Sequence, residues 1–358
     1  MPNINARSPY FIDVTSATMV SAKIELTIYN APSSVPASPT YTFTKNRIST
    51  LINTISFNIS NFLLEFMSFN NISNITNTSN FISSNTSQYC LWQVKRYTSV
   101  DGVAWVLVTP TLSGYAFNGY GFYENGYNPT VLNYHLDQGD YNYYADTIVT
   151  PLSNITTHGR IRVITDQFSC VAVYTNLLTN VATNVFLTSN SVLDILKVLP
   201  VNAQVGNKVE FFIASLLIAK WKFTPICEPK YKPIVIDFVN NHGAYQREYF
   251  FKSSNNTFKV ESQEYKLMMQ SVNYNLIEGQ TRIFNNNGND SIKVNTGWVD
   301  ETWSSTLKQI MLSEKILINQ LPAKLNTKNT ELFKSINTKQ INYSLEFDFS
   351  YDTINAVI

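Results

Sequence analysis

At 358 residues the chain is long enough for two or three domains with sizeable cores. Only 14% of its residues are charged and the net charge is +1, which removes the electrostatic case for nucleic acid or an anionic membrane surface as the partner. Asn, Ser and Thr carry the solubility instead, beside 21 Tyr and 22 Phe, a mix suited to β-structure and to wide, polar, self-associating interfaces.

The pattern predicts a mainly β protein. Ser8–Val14 and Lys23–Tyr29 read as strands, and after a loop broken by Pro32, Pro36 and Pro39 the alternation resumes over Thr40–Lys45. Ile55–Met67 fits a strand or a short helix equally well. Asn70–Ser87 is a low-complexity loop of Asn, Ser, Thr and Ile. Its Asn-x-Ser/Thr triplets at Asn71, Asn74, Asn77 and Asn85, with another at Asn154, follow from that composition, since MPNINARSPYFID has no basic and apolar signal-like regions. Strands at Tyr89–Tyr97 and Ala104–Thr109 flank an Asp101-Gly102 turn. Short strands between turn signals give the N-terminal region, residues 1–228, a β-sandwich-like reading.

Residues 114–144 form a Tyr/Gly-rich stretch with Tyr115, Tyr120, Tyr123, Tyr127 and Tyr134 among Gly, Asn and Asp. Tyrosine offers a large amphipathic surface with few rotors to freeze, so these five are candidates for a subunit or ligand contact loop, a sugar-stacking surface included. The plainer alternative is rings packed on their own domain.

Further strands are expected at Arg160–Thr165, Cys170–Thr175 and Thr183–Thr188, then a short helix at Ser191–Leu199 and one long buried strand at Lys208–Trp221. Pro225, Pro229 and Pro233 mark a boundary, leaving residues 229–358 as a second β domain. There Ile234–Asn240 and Tyr245–Lys252 pair around an Asn241-His242-Gly243 turn, with an exposed strand face carrying Arg247 and Glu248. Phe258–Glu261, Tyr265–Met269 and Thr281–Phe284 precede an Asn287-Gly288 turn. Gly297 ends a strand at Ser291–Asn295. One amphipathic helix spans about 300–313, capped by Asp300 and aligning Trp303, Leu307, Ile310 and Met311 on one face. A further strand and a loop then lead to the clearest strand, Ile341–Tyr351, where Tyr343, Leu345, Phe347 and Phe349 alternate with polar residues. Lys324, Lys328, Lys334 and Lys339 make a modest basic patch before it, either solvated or contacting phosphate in a lumen.

Chemistry is harder to find. Cys90, Cys170 and Cys227 lie far from one another and from His135, His158 and His242, so no metal-ligand spacing occurs and no cofactor is implied. No GxSxG elbow or phosphate loop is present. Asp137, Asp140 and Asp146 could be imagined as a glycosidase pair, against the plainer reading of acids on a solvated loop. The most apolar run, Val209–Ala219, is too short to span a membrane. The expectation is that the chain is not an enzyme.

Three segments, KPIVIDFVNNHGAYQREYFFK, SIKVNTGWVDETWSSTLKQIMLSEKILI and PAKLNTKNTELFKSINTKQINYSLEFDFSYD, together with the opening NARSPYFIDV, resemble virion proteins of tailed phages infecting Bacteroidetes, crAss-like and flavobacterial phages among them. The middle of the chain, Asn70–Phe223, resembles them only loosely. The resemblance implies a structural tail, adaptor or baseplate component located in the virion and made in the host cytoplasm. It also makes the C-terminal part tail-tube-like, with partners in other tail proteins and in its own copies, as a homo-oligomeric ring for which six is the natural number to test. The alternative it leaves open is a receptor-recognition module binding a host-surface glycan.

Overall fold

Period-2 alternation marks strands such as Phe11–Thr15, Cys170–Asn176 and Ile341–Phe349 of the computed structural model, which describes residues 2–30, 34–49, 51–68, 81–83, 88–144, 147–149, 154–156, 160–165, 169–187, 191–196, 206–226, 230–268, 277, 279–299, 301–331 and 341–354. The protein is mainly β, with two short α-helices among the described residues, α1 (Ser60–Phe66) and α2 (Trp303–Met311). The chain folds as two units: Met1–Pro225 with Val239–Gln246, and Ile226–Phe238 with Arg247–Ile358.

In the first unit a five-stranded sheet runs in the order Ile4–Asn5, Val106–Phe117, Tyr89–Ser99, Ser21–Tyr29, Tyr41–Asn46. Alternate residues of its central strands serve two cores. Cys90, Trp92, Val94 and Ala116 join Ile24 and Leu26 against the antiparallel pair Phe11–Thr15/Thr54–Asn58 and α1. Tyr89, Tyr115 and Phe117 point the other way, onto Ile164 and Val192. Burial pushes the Cys90 thiol up to about 12, so it stays a protonated, inert packing group. The Ile55–Met67 ambiguity resolves into both answers, a strand Thr54–Asn58 followed at once by α1, where Asn58 Oδ1 accepts from Ser60 N at 3.1 Å.

A second five-stranded sheet of this unit contains Cys170–Asn176, Asn207–Ile213 and Leu216–Pro225. The long strand expected over Lys208–Trp221 is therefore a hairpin: Ala214 and Ser215 take φ of 47° and 67°, the left-handed pair a two-residue turn requires. The helix expected at Ser191–Leu199 is a strand, Ser191–Leu196, paired antiparallel with Arg160–Thr165. Its Ser-Val-Leu-Asp-Ile-Leu sequence suits both periods, and the long-range pairing decides it.

The second unit is one seven-stranded sheet, in the order Tyr245–Phe250, Ile234–Val239, Ile316–Ile318, Leu321–Leu325, Ile341–Phe349, Thr281–Val299, Ser254–Lys266. The final strand keeps the expected alternation, with Tyr343, Leu345 and Phe347 buried and Phe349 partly so. Helix α2 lays Leu307 and Ile310 on this core, flanked by Trp303 and Met311, and Trp303 stacks on Tyr343 at 5.8 Å. Each such fully buried side chain is worth about 1.5–3 kcal/mol. The helix is shorter than 300–313 and follows Thr302; the expected cap Asp300 lies outside the described residues.

Three expectations here are corrected. Asn287-Gly288 is no turn but the middle of the 19-residue strand Thr281–Val299, where the ring of Phe258 from the neighbouring strand lies over Gly288 and would collide with any Cβ. Gly297 ends nothing: Thr296 and Gly297 together oppose Tyr343, a bulge that needs the φ of 71° at Gly297 and is pinned by Tyr343 N donating to Thr296 Oγ1 at 3.0 Å. Arg247 and Glu248 do not line an exposed face: Arg247 donates two bonds of 2.7 and 2.8 Å to buried Asp237, and Glu248 is buried.

Candidate functional site

The densest polar cluster belongs to the first unit and is assembled from four distant stretches. The strand Arg160–Thr165 turns Arg162 inward, where it is 2% exposed; its guanidinium donates to Gly243 O at 3.0 Å and to Gln88 Oε1. The 240–244 turn is organised by Asn240, whose Oδ1 accepts from His242 N and Ala244 N, each at 3.1 Å, while its Nδ2 donates to His135 O at 3.0 Å. His242 Nε2 meets Asp137 Oδ1 at 3.0 Å, and its ring stacks nearly parallel on His135 with centroids 6.0 Å apart. Phe117 closes the other side of His135, edge to face at 4.4 Å.

Close backbone approach makes this junction possible. Tyr120 N donates to Asn241 O at 2.7 Å and Arg7 N to Gly119 O at 3.0 Å, zipping the N-terminal segment, the 118–121 loop and the 240–244 turn together. Gly119 and Gly243 have no room for a Cβ there, and Gly243 takes a φ of 76°. His135 is 1% exposed and neither ring nitrogen has a hydrogen-bond partner. Burial, then the nearby Arg162 charge and His242, hold its pKa well below the usual histidine range, so it is neutral at pH 7. A sealed neutral imidazole, a half-buried Asp–His pair and a saturated Arg can lock three segments together. No group of three or more His, Cys, Asp or Glu fit for a metal occurs among the described residues.

The Tyr/Gly stretch is not one loop. Tyr115 and Tyr134 are core residues, 7% and 8% exposed, and are corrected from contact candidates to packing. Tyr120 is half-buried beneath the Arg7 guanidinium, 4.9 Å from its ring. Only Tyr123, fully exposed, and Tyr127, 67% exposed, remain available of the five, beside exposed Phe122 on the short turn Tyr123–Asn125. The imagined acids separate likewise. Asp137 is engaged by His242, Asp140 stands 72% exposed near Lys222 at 3.8 Å, and Asp146 lies outside the described residues.

In the second unit Lys324 and Lys328 are exposed and line a recess of about 410 Å³ with Glu314 and Met311; Lys334 and Lys339 fall outside the described residues, as do Cys227 and the glycosylation-type triplets at Asn71, Asn74, Asn77 and Asn85. No described helix is long and apolar enough to cross a membrane.

Sequence reasoning missed the His135–His242–Arg162 lock because its members are spread across 155 positions, from Gln88 to His242. One signal was legible: arginine at an inward position of an apolar strand, R-I-R-V-I-T, demands a buried acceptor. No protein-family model matches the chain, and no curated protein is similar to it.

Proposed function

We propose that the chain is a structural virion protein, a ring-forming tail, adaptor or baseplate component of a tailed phage that mediates tail assembly without enzymatic activity. The observation that carries this reading is the hairpin arm of the second unit, Ser254–Lys266 with Thr281–Asp290. Toward Thr281 the arm leaves the ladder of the final strand at Ser291 and is held past it by bonds of Asn287, Gly288 and Asn289 to residues 349–354, yet it presents Phe258, Val260, Ile283 and Phe284, each 54–61% exposed. A two-stranded ribbon is marginal alone in water, and exposed apolar side chains on it call for cover by another chain. The sequence resemblance to phage virion proteins names the assembly in which that cover would be supplied.

The test is to purify virions, identify the chain in them, and reconstruct the particle. The expected result is a closed ring of copies about the tail axis, with the arm buried between subunits. A stable monomer absent from virions removes the proposal.

A second reading, recognition of a host-surface glycan, is favoured by three exposed rings within six residues of sequence, Phe122, Tyr123 and Tyr127. It predicts glycan-array binding that Tyr123→Ala and Tyr127→Ala each abolish; a blank array with the unaltered chain eliminates it.

A further inference from the structure

We infer that the outer edge of the Ser254–Lys266 strand is an interface for a second copy of this chain, the two strands pairing antiparallel about a two-fold axis at Val260. This rests on the reading of the arm as an assembly element and specifies its partner and register.

The strand is the terminal one of its sheet, thirteen residues long, and exposed at every position. One edge is hydrogen-bonded along its whole length to Thr281–Val294, and no strand pairs with the other among the described residues. That other edge is a row of backbone donors and acceptors, the template on which strands add. Proteins blunt such edges with proline, brevity or inward charges. This one carries no proline in Ser254–Lys266 and is long. It does carry four charges, Lys259, Glu261, Glu264 and Lys266.

Those charges choose the occupant. Val260 is the midpoint of the strand, so pairing a copy about it engages all thirteen residues. In that register Lys259 faces Glu261 of the second copy and Glu261 faces its Lys259, Phe258 faces Ser262, Asn256 faces Glu264, Asn255 faces Tyr265, and Ser254 faces Lys266; no like charges oppose. Centring the pair one residue along sets Glu261 against itself, and two along sets Val260 against Glu264 and Phe258 against Lys266. Lys259, 46% exposed, leans inward across the neighbouring strand to Asp348 at 3.2 Å and Glu346 at 3.6 Å, surface bonds that it exchanges for the one to the incoming Glu261 by turning outward. Val260, 55% exposed, would meet its own copy at the centre, with the two Phe258 rings flanking it. An unrelated strand would have to satisfy the same alternation of charge, so the edge is selective as well as sticky. The contact is isologous and closes at two copies, so it is separate from the head-to-tail contact of a ring.

The test uses full-length protein. Val260→Cys should form an intermolecular disulfide on mild oxidation, whereas Asn256→Cys, far from its own copy in this register, and the unaltered chain with its native cysteines should not. Glu261→Lys, which sets lysines opposite each other at two places, should weaken self-association about tenfold by analytical ultracentrifugation. Mixing Glu261→Lys with Lys259→Glu should restore it, because both ion pairs re-form only between the two variants. Absence of the Val260→Cys cross-link, or its appearance equally in Asn256→Cys, overturns the inference. If the chain is nevertheless found in rings in purified virions, the structural role stands and only the strand-edge contact falls. If it is absent from virions while the cross-link forms, the reverse holds.

Discussion

A single imidazole shows how much one residue can weigh in this protein. His135 has two ring nitrogens sealed from water without partners, between Phe117 and His242, with Arg162 and Asp137 the charged groups nearby. Its folded pKa lies well below the ordinary value, so the unfolded chain takes up a proton first as pH falls. Stability is therefore fully present above about pH 6.5 and declines below it by up to about 1.4 kcal/mol per pH unit until the folded pKa is reached. Replacing the ring by one of similar shape without polar atoms removes both the orphaned nitrogens and the titration. His135→Phe is expected to raise stability by about 1–3 kcal/mol at pH 7 and to flatten the dependence between pH 6.5 and 5, measured as urea midpoints at each pH. A variant with the unaltered chain's slope would move the acid sensitivity to other groups. None of this was visible from sequence, where His135 sits in a run of tyrosines and His242 reads as a turn residue; only the fold stacks them.

Elements were legible where side chains alone decide them and illegible where a turn lacks its usual chemistry. The strand Ile341–Phe349 and helix α2 announce themselves because burial enforces strict periods of two and 3.6. The hairpin at Ala214-Ser215 does not, since neither residue favours the left-handed region it occupies. The same holds for Leu321–Leu325, expected as loop, which pairs with Ile316–Ile318 through a turn at Asn319-Gln320 with φ of 46° and 73°. Conversely, Asn287-Gly288 has ideal turn chemistry but serves to seat a phenylalanine ring. The strain at Ala214-Ser215 is removable. Ala214→Asn with Ser215→Gly installs the residues the turn prefers and should stabilise by about 1–2 kcal/mol, raising the Tm by a few degrees. An unchanged or lower Tm would mean the left-handed pair costs nothing here.

At the scale of the whole molecule, the exposed apolar surface and the weak charge belong together. A net charge of +1 gives copies little mutual repulsion near neutral pH, while Phe258, Val260, Ile283, Phe284 and Trp298 leave apolar area on the second unit for another chain to cover. Association built on that surface and on backbone pairing should be driven by desolvation, with exposed ion pairs such as Lys259–Glu261 setting register and adding little strength. Screening then has little to act on, since the Debye length falls from roughly 14 to 4 Å between 50 and 500 mM salt but the apolar term does not weaken. Self-association of the full-length chain, followed by sedimentation across that range, should accordingly change by less than about tenfold. Ile283→Ser with Phe284→Ser, both at exposed positions where folding loses little, should dissociate it at every salt concentration. A steep loss of association with salt in the unaltered chain would mean that charge, not apolar cover, holds the copies together.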